Sequence, residues 1–346
     1  MFRSWSGFHR RVSRVIPRRA TRPDRSGFLL STTDEGIRMT AVRARSLVRE
    51  PALWQAVGNT PLLPVDLPGG QGRFWLKAEW MNPGGSVKDR TARSILRDAL
   101  RRGLVPDRRL LDASSGNTGI AYAMLGAAAG VGVTICLPGN ASPERRALLE
   151  LYGAEVVETD RMEGTEGATR RARELAASEP ERYFYADQYS NPANPAAHRE
   201  TTGPELWEQT GGRITHFVAA MGTTGTMMGT GGFLKERNPA ITLVGVQPDS
   251  PYHGLEGLKH LATTSEPPAL YDRRVPDVVA EIPTERADEH ARWLARSAGL
   301  LVGWSAGAAV AAAIEIARRE PAACVVAVGC DTGARYLSEP HRWRGA

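Results

Sequence analysis

The sequence predicts an α/β protein built on open, largely parallel sheet, and three observations carry that expectation. Short runs rich in aliphatic and β-branched residues alternate with segments of helical period along the body of the chain. One run, Val131 to Leu137, is apolar throughout and bounded by Gly130 and Pro138, as in a strand covered on both faces. Three glycine-rich turns, at residues 114–119, 222–226 and 303–307, stand where a strand run gives way to the next segment, which is where open α/β sheets bind ligands.

Asn59-Thr60-Pro61-Leu62 introduces a short extended piece, Leu62 to Val65, and Arg73 to Glu79 reads as a strand. Asn82 to Arg90 (NPGGSVKDR) opens a helix: Ser86 is a natural N-cap with Asp89 as capping-box partner. Ile95, Leu96, Ala99 and Leu100 then recur at helical spacing until Gly103 stops them. Leu110-Leu111 is a short strand feeding SSGNTG, and Ile120 to Ala129, apolar or small on every side, reads as a buried helix. After the Val131 to Leu137 strand, Pro143 opens a helix that Gly153 closes, and Glu155 to Thr159 is extended. A helix near Glu166 to Ala177 precedes a strand at Tyr183 to Ala186. Ile214 to Ala220 is a strand, followed by GTTGT and a helix that Asn238-Pro239 ends. Ile241 to Gln247 is extended, Glu285 to Ala298 helical, Leu300 to Val302 extended, Gly307 to Arg319 helical and Cys324 to Gly329 extended.

At 346 residues the chain has room for two domains or one large α/β unit, and 42% hydrophobic with 24% charged residues is ordinary for a globular protein. No apolar run approaches a membrane span, so no membrane partner is expected. Residues 1–45 hold eleven arginines against Asp24, Asp34 and Glu35, a net of +8, so the rest of the chain carries −2 of the overall +6. Such a start reads as a disordered or mis-called extension before Met39, as an organellar transit peptide, or as a nucleic-acid-binding arm. It lacks the aromatic interleaving of RNA recognition, so nucleic acid is not expected among the partners. No secretory signal follows the charges. Three cysteines, Cys136, Cys324 and Cys330, make neither a disulfide framework nor zinc spacing. A reducing, cytoplasmic setting and no metal are expected.

Lys88 falls in the first turn of its helix, at the positive end of the macrodipole, where a cation is disfavoured by about 0.3 to 1 kcal/mol. An amine whose charged form is disfavoured suits Schiff-base chemistry on an aldehyde, although a solvated surface lysine is the plainer reading of any single case. The loop Ser114-Ser115-Gly116-Asn117-Thr118-Gly119 offers backbone N–H groups to a carboxylate, and Asn117 either donates to a phenolate oxygen or caps the turn. Gly222-Thr223-Thr224-Gly225-Thr226 makes a cradle for one phosphate with no nucleotide signature; alone it could equally be a turn packing helix on sheet. In Gly303-Trp304-Ser305-Ala306-Gly307, Ser305 caps a helix or sets a neutral hydroxyl beside a ring nitrogen. A hydroxyl there favours elimination at Cβ over transamination. An amine for an aldehyde, a donor for a ring oxygen, a cradle for one phosphate and a hydroxyl for a ring nitrogen together describe pyridoxal phosphate.

Seven motifs in order, NTPL at 59–62, NPGGSVKDR at 82–90, SSGNTG at 114–119, NPANPAAHRETTGPELW at 191–207, GTTGT at 222–226, GWSAG at 303–307 and RYLS at 335–338, resemble the cysteine synthase family (O-acetylserine sulfhydrylases) of fold-type II pyridoxal-phosphate enzymes. The likeness runs from about residue 50 to 340. It implies two open twisted α/β domains, similar to the tryptophan synthase β chain, with the cofactor in the cleft between them. Residues 46–81 with 192–340 would form the larger domain, 82–191 a smaller mobile one, and 341–346 a tail. It implies a homodimer in which Lys88 forms the Schiff base, Asn117 binds the cofactor's 3′-oxygen, Gly222, Thr223, Thr224, Gly225 and Thr226 hold its phosphate and Ser305 meets the pyridine nitrogen. Ser114, Ser115, Gly116, Thr118 and Gln188 match positions that bind the amino-acid carboxylate. Ser114 stands where the family usually has threonine, and Ala306 where a second serine is common.

GLEGLKHL at 254–261 and Cys330-Asp331 resemble the B type, and Lys259 stands where some relatives place an arginine for the phosphate of O-phosphoserine. A lysine can attract that anion without gripping it bidentately; its plainer role is a rim charge. The resemblance implies β-replacement: O-acetylserine or O-phosphoserine loses its β-substituent to give an α-aminoacrylate, and sulfide or another sulfur donor adds to form L-cysteine. Rival readings are β-replacement by another nucleophile, giving cystathionine or diaminopropionate, and, from a different class, a nucleic-acid- or partner-binding protein acting through its basic arm.

Overall fold

The computed structural model describes residues 50–344 apart from residue 71, so the expected extension at 1–45 lies outside the described residues. The described residues open with α1 (Ala52–Gln55), the strands β1 (Leu62–Asp66) and β2 (Arg73–Ala78), and α2 (Lys88–Arg101). It continues through β3 (Arg109–Ala113), α3 (Asn117–Ala129), β4 (Val133–Pro138), α4 (Pro143–Leu151), β5 (Glu155–Thr159), α5 (Gly164–Ser178) and β6 (Tyr183–Tyr185). Next come α6 (Ala193–Ala197), a π-helical turn His198–Thr202, α7 (Gly203–Gln209), β7 (His216–Ala220), α8 (Gly225–Arg237) and β8 (Thr242–Pro248). A long loop leads to β9 (Val278–Ile282), α9 (Thr284–Ala298), α10 (Trp304–Arg319), β10 (Val325–Gly329) and α11 (Pro340–Arg344).

Two sheets result. One has the order β1-β2-β10-β7-β8-β9 and is parallel except for the β1–β2 pair; the other, β5-β4-β3-β6, is parallel throughout. Both are covered on two faces, and the period of two in each strand decides which residue meets which layer. In β3, Leu110 packs with Ile95, Leu96 and Ile120 of α2 and α3, while Leu111 packs with Ala168 and Ala172 of α5. In β7, Val218 faces α9 and α10, while Phe217 and Ala219 face Leu206 of α7 and Leu234 of α8. Each such aliphatic burial contributes about 1.5 to 3 kcal/mol.

The expected strands and helices are present apart from the differences that follow. Helices α1, α6 and α7 were not anticipated, and α3 begins at Asn117 instead of Ile120. β9 was not anticipated: it edges the larger sheet with Val278 and Val279 exposed, so its sequence lacks the apolar continuity of a covered strand. Leu300 to Val302 forms no strand and makes only an isolated bridge from Val302 to Thr332. α10 begins at Trp304 instead of Gly307, which places Ser305 in its first turn. The expected tail at 341–346 is helical through Arg344, where α11 sets Trp343 against Trp304 with ring centroids 4.2 Å apart.

Candidate active site

Lys88 is the first residue of α2, and its backbone is pinned from both sides. The Val87 N–H donates to the Cys330 carbonyl at 2.8 Å, and Ser86 bridges to Asp331. The expected capping box is replaced by a different arrangement. Ser86 Oγ accepts from the Lys88 N–H at 3.3 Å, while Asp89 reaches past Ser86 to the Gly84 N–H at 2.5 Å. Gly84 is required there, because a Cβ would fall 2.5 Å from Asp89 Oδ1. Burial pushes the Asp89 carboxyl up to about 7. Among the described residues no carboxylate pairs with Lys88 Nζ.

Beneath this turn lies a buried charge cluster. Arg90 Nε donates to Glu79 Oε2 at 2.7 Å and its Nη1 to Glu205 Oε1 at 2.6 Å, while Lys77 Nζ donates to Glu205 Oε2 at 2.6 Å. Burial alone would raise the Glu79 carboxyl, but Arg90, with Thr60 and Lys77, holds it down to about 2. Two cations face two anions, so helix α2 is fastened to β2 and α7 without net buried charge.

In the turn at residues 114–119, Ser114 Oγ accepts from the N–H groups of Gly116 at 3.1 Å and Gly119 at 3.0 Å. Its own proton is left free for an incoming carboxylate. Thr118 has the opposite assignment: its hydroxyl donates to Gln188 Oε1 at 2.7 Å, and Gln188 Nε2 donates to the Ala113 carbonyl at 2.8 Å. Gly116 packs on the Arg145 side chain, where a Cβ would lie 2.7 Å from Cδ.

The turn at residues 222–226 is closely packed. A Cβ on Gly222 would lie 1.9 Å from the Gly257 carbonyl oxygen, and one on Gly225 would lie 2.0 Å from Asn194 Oδ1. Thr224 is held at φ 66°, and its hydroxyl is buried without a partner among the described residues. The Thr226 hydroxyl sits 3.3 Å from His198 Nε2, with Thr91 Oγ1 at 3.5 Å from the same nitrogen. Burial first, and Arg90 second, lowers the His198 pKa to about 3.

Ser305 is buried in the first turn of α10, with the Cys330 thiol against it; burial pushes that thiol up to about 11. Asn117 is engaged at both ends, its amide donating to Asp331 Oδ2 at 2.7 Å and its oxygen accepting from Arg335. One amide proton remains for a ligand oxygen. Tyr336 donates to the same Asp331 oxygen.

Lys88, Ser114, Ser115, Asn117, Thr118, Gln188 and Thr223 line one inner cavity. Ser305, Lys259 and Gly116 are not in its wall, and of residues 222–226 only Thr223 is. Lys259 lines an outer vestibule of about 560 Å³, where its Nζ stands 5.3 Å from the centre of the Tyr189 ring. Ser115, Tyr189, Glu256 and Gly257 belong to both spaces. Sequence reasoning missed Arg145, Glu256 and Tyr336 in the inner wall, and Asp331 and Arg335 behind Asn117. RYLS, Cys330-Asp331 and GLEGLKHL marked four of these positions without giving them a task, and the helix-face arginine Arg145 carries no local signal.

These residues suit pyridoxal phosphate. Two glycine positions that no side chain can occupy and an unpartnered buried hydroxyl at Thr224 make a cradle for an anion with little room around it. An amine that pairs with no carboxylate among the described residues lines the cavity whose wall includes Thr223 of that cradle.

Residues 53–331 match the family model described as pyridoxal-phosphate dependent enzyme. A cysteine synthase of Aquifex aeolicus is 48% identical over 293 residues, covering 82% of this chain and 89% of the relative. Cysteine synthase B of Escherichia coli is 43% identical over 302 residues, covering 85% of this chain and 98% of the relative. The crystal structure of cysteine synthase from Entamoeba histolytica superposes with a TM-score of 0.80 at 31% identity, covering 90% of this chain and 95% of that one.

Proposed function

The chain belongs to the pyridoxal-phosphate dependent enzymes, and from that membership we propose that it is a cysteine synthase of the B type, replacing the β-substituent of an activated serine with sulfide. The observation that carries the reading is the inner cavity, where the Lys88 amine, the Ser114–Thr118 loop and Thr223 face one another. Bound there, pyridoxal phosphate supplies an aldehyde for Lys88 and an electron sink that acidifies the substrate's Cα proton. Thr223, Thr224 and Thr226 would hold the phosphate, Asn117 would offer its remaining amide proton to the ring oxygen, and Ser305 would meet the ring nitrogen. Ser114, Ser115, Gly116, Thr118 and Gln188 take the substrate carboxylate, for which Thr118 must turn its proton away from Gln188. Lys88 Nζ would be the base that takes the substrate's Cα proton, in a reaction that exchanges acetate or phosphate at Cβ for sulfide.

Lys259, in the vestibule, draws anionic substrate inward. The two sheets form the cores of two lobes that close over the site, and the enzyme works as a cytoplasmic homodimer. Rates with O-acetylserine and O-phosphoserine, each paired with sulfide, thiosulfate, homocysteine or ammonia, test the reading. Cysteine formation from sulfide should be fastest, and Lys88→Ala should lower it by at least about a thousandfold while leaving no borohydride-fixed pyridoxyl group on the chain. Faster turnover of homocysteine or ammonia, or normal turnover without Lys88, overturns it.

A further inference from the structure

Asn194, on the short helix α6, is fully buried, and its carboxamide meets three of the elements that build the site. Nδ2 donates to Thr223 Oγ1 at 3.0 Å and to the Gln188 carbonyl oxygen at 2.8 Å. Oδ1 accepts from Thr91 Oγ1 at 3.0 Å, and Thr91 lies one turn beyond Lys88 on α2. The turn at Gly225 packs directly on that oxygen, so only glycine fits there.

The hydrogen bonds fix where protons point. Both amide protons of Asn194 are used, and the Thr91 proton is spent on Oδ1. Thr223 receives a proton from Asn194, so one of its lone pairs is filled and its own proton is left for another acceptor. Thr223 also stands in the wall of the inner cavity, on the side of the glycine cradle.

We propose that Asn194 is a positioning residue of the cofactor site: by donating to Thr223 it commits that hydroxyl to donating toward the phosphate, and through Thr91 and Gln188 it keeps the cradle in register with the lysine helix and the carboxylate-binding turn. The inference rests on residues 222–226 being the phosphate cradle. A buried asparagine that merely holds the fold together would weaken all ligands alike. One that sets the proton of Thr223 weakens only those bearing the phosphate.

The test is titration of the apoprotein with pyridoxal phosphate and, separately, with pyridoxal, which lacks the phosphate, followed by absorbance. Thr223→Val should lower affinity for pyridoxal phosphate by about ten- to a hundredfold, the loss of one hydrogen bond to a charged group, with pyridoxal affinity unchanged. Asn194→Ala should lower the ratio of the two affinities by a similar factor and should add nothing in the Thr223→Val background. Asn194→Asp keeps the acceptor for Thr91 but puts an acceptor where Thr223 found its donor, so it should lower the ratio further than Ala; being isosteric, it also carries the test if Asn194→Ala fails to fold. If Thr223→Val leaves the ratio unchanged, the cradle has been misplaced. If Thr223→Val lowers the ratio while the Asn194 variants leave it alone, or weaken both ligands equally, the cradle stands and the role of Asn194 is overturned.

Discussion

His198 shows how far one residue's environment departs from what its neighbours in sequence announce. Buried and facing the hydroxyls of Thr91, Thr202 and Thr226, with Arg90 and Lys88 nearby and only Glu79 and Glu205 to favour its cation, it stays neutral down to about pH 3. Above the ordinary value of 6.5 both the folded and unfolded forms are neutral and the ring contributes no pH dependence. Below it the unfolded chain binds a proton that the fold refuses, so stability falls as the pH drops. Urea unfolding at pH 7 and pH 4.5 should show the native protein losing about 1.4 kcal/mol per pH unit below 6.5 more than His198→Gln does. Staying above pH 4.5 keeps the depressed Glu79 from contributing its own loss. Lys88 and the threonines of residues 223–226 could be read from sequence because glycines and a helix start surround them. The tasks of Asn194, Arg145 and Asp331 could not, because each reaches a partner more than a hundred residues away: Thr91, Glu256 and Asn117.

At the level of elements, the strand-to-turn junctions were legible because their two signals coincide: an apolar run ends where glycines begin. Boundaries slipped where they did not. α10 starts three residues early because Trp304, Ser305 and Ala306 are buried as fully as the helix that follows, and β9 escaped notice because an edge strand needs apolar residues on one side only. The capping box at Ser86 followed a sound local rule, but the tertiary fold gave Asp89 the Gly84 N–H instead. The β7–α8 turn supplies the corresponding prediction. Gly222→Ala must displace the Gly257 backbone, so we expect a loss of about 1 to 3 kcal/mol in unfolding free energy and at least tenfold weaker uptake of pyridoxal phosphate, read in one titration series.

Across the whole molecule, several ion pairs tie the parts that carry the two sheets, Arg173 with Glu266 and Arg145 with Glu256 among them, and the second of these stands in the wall of the site. Arg145 on α4 pairs with Glu256, in the loop between β8 and β9, and lies 5.0 Å above the Tyr336 ring. Arg145 is almost sealed while Glu256 is about one-third exposed, so losing the carboxylate leaves a cation at the mouth of the inner cavity. Glu256→Gln should therefore raise kcat/KM for O-phosphoserine over that for O-acetylserine by up to about tenfold at low ionic strength, and added salt should erase the difference. An unchanged ratio would remove Arg145 from the path of the substrate. The larger sheet has two edge strands, β1 and β9, and β9 leaves Val278 and Val279 exposed beside a backbone rim with no strand partner among the described residues. Concentrated stocks should for that reason cloud on storage through strand-to-strand stacking, and a lysine in place of Val279 should lengthen their shelf life without touching the chemistry.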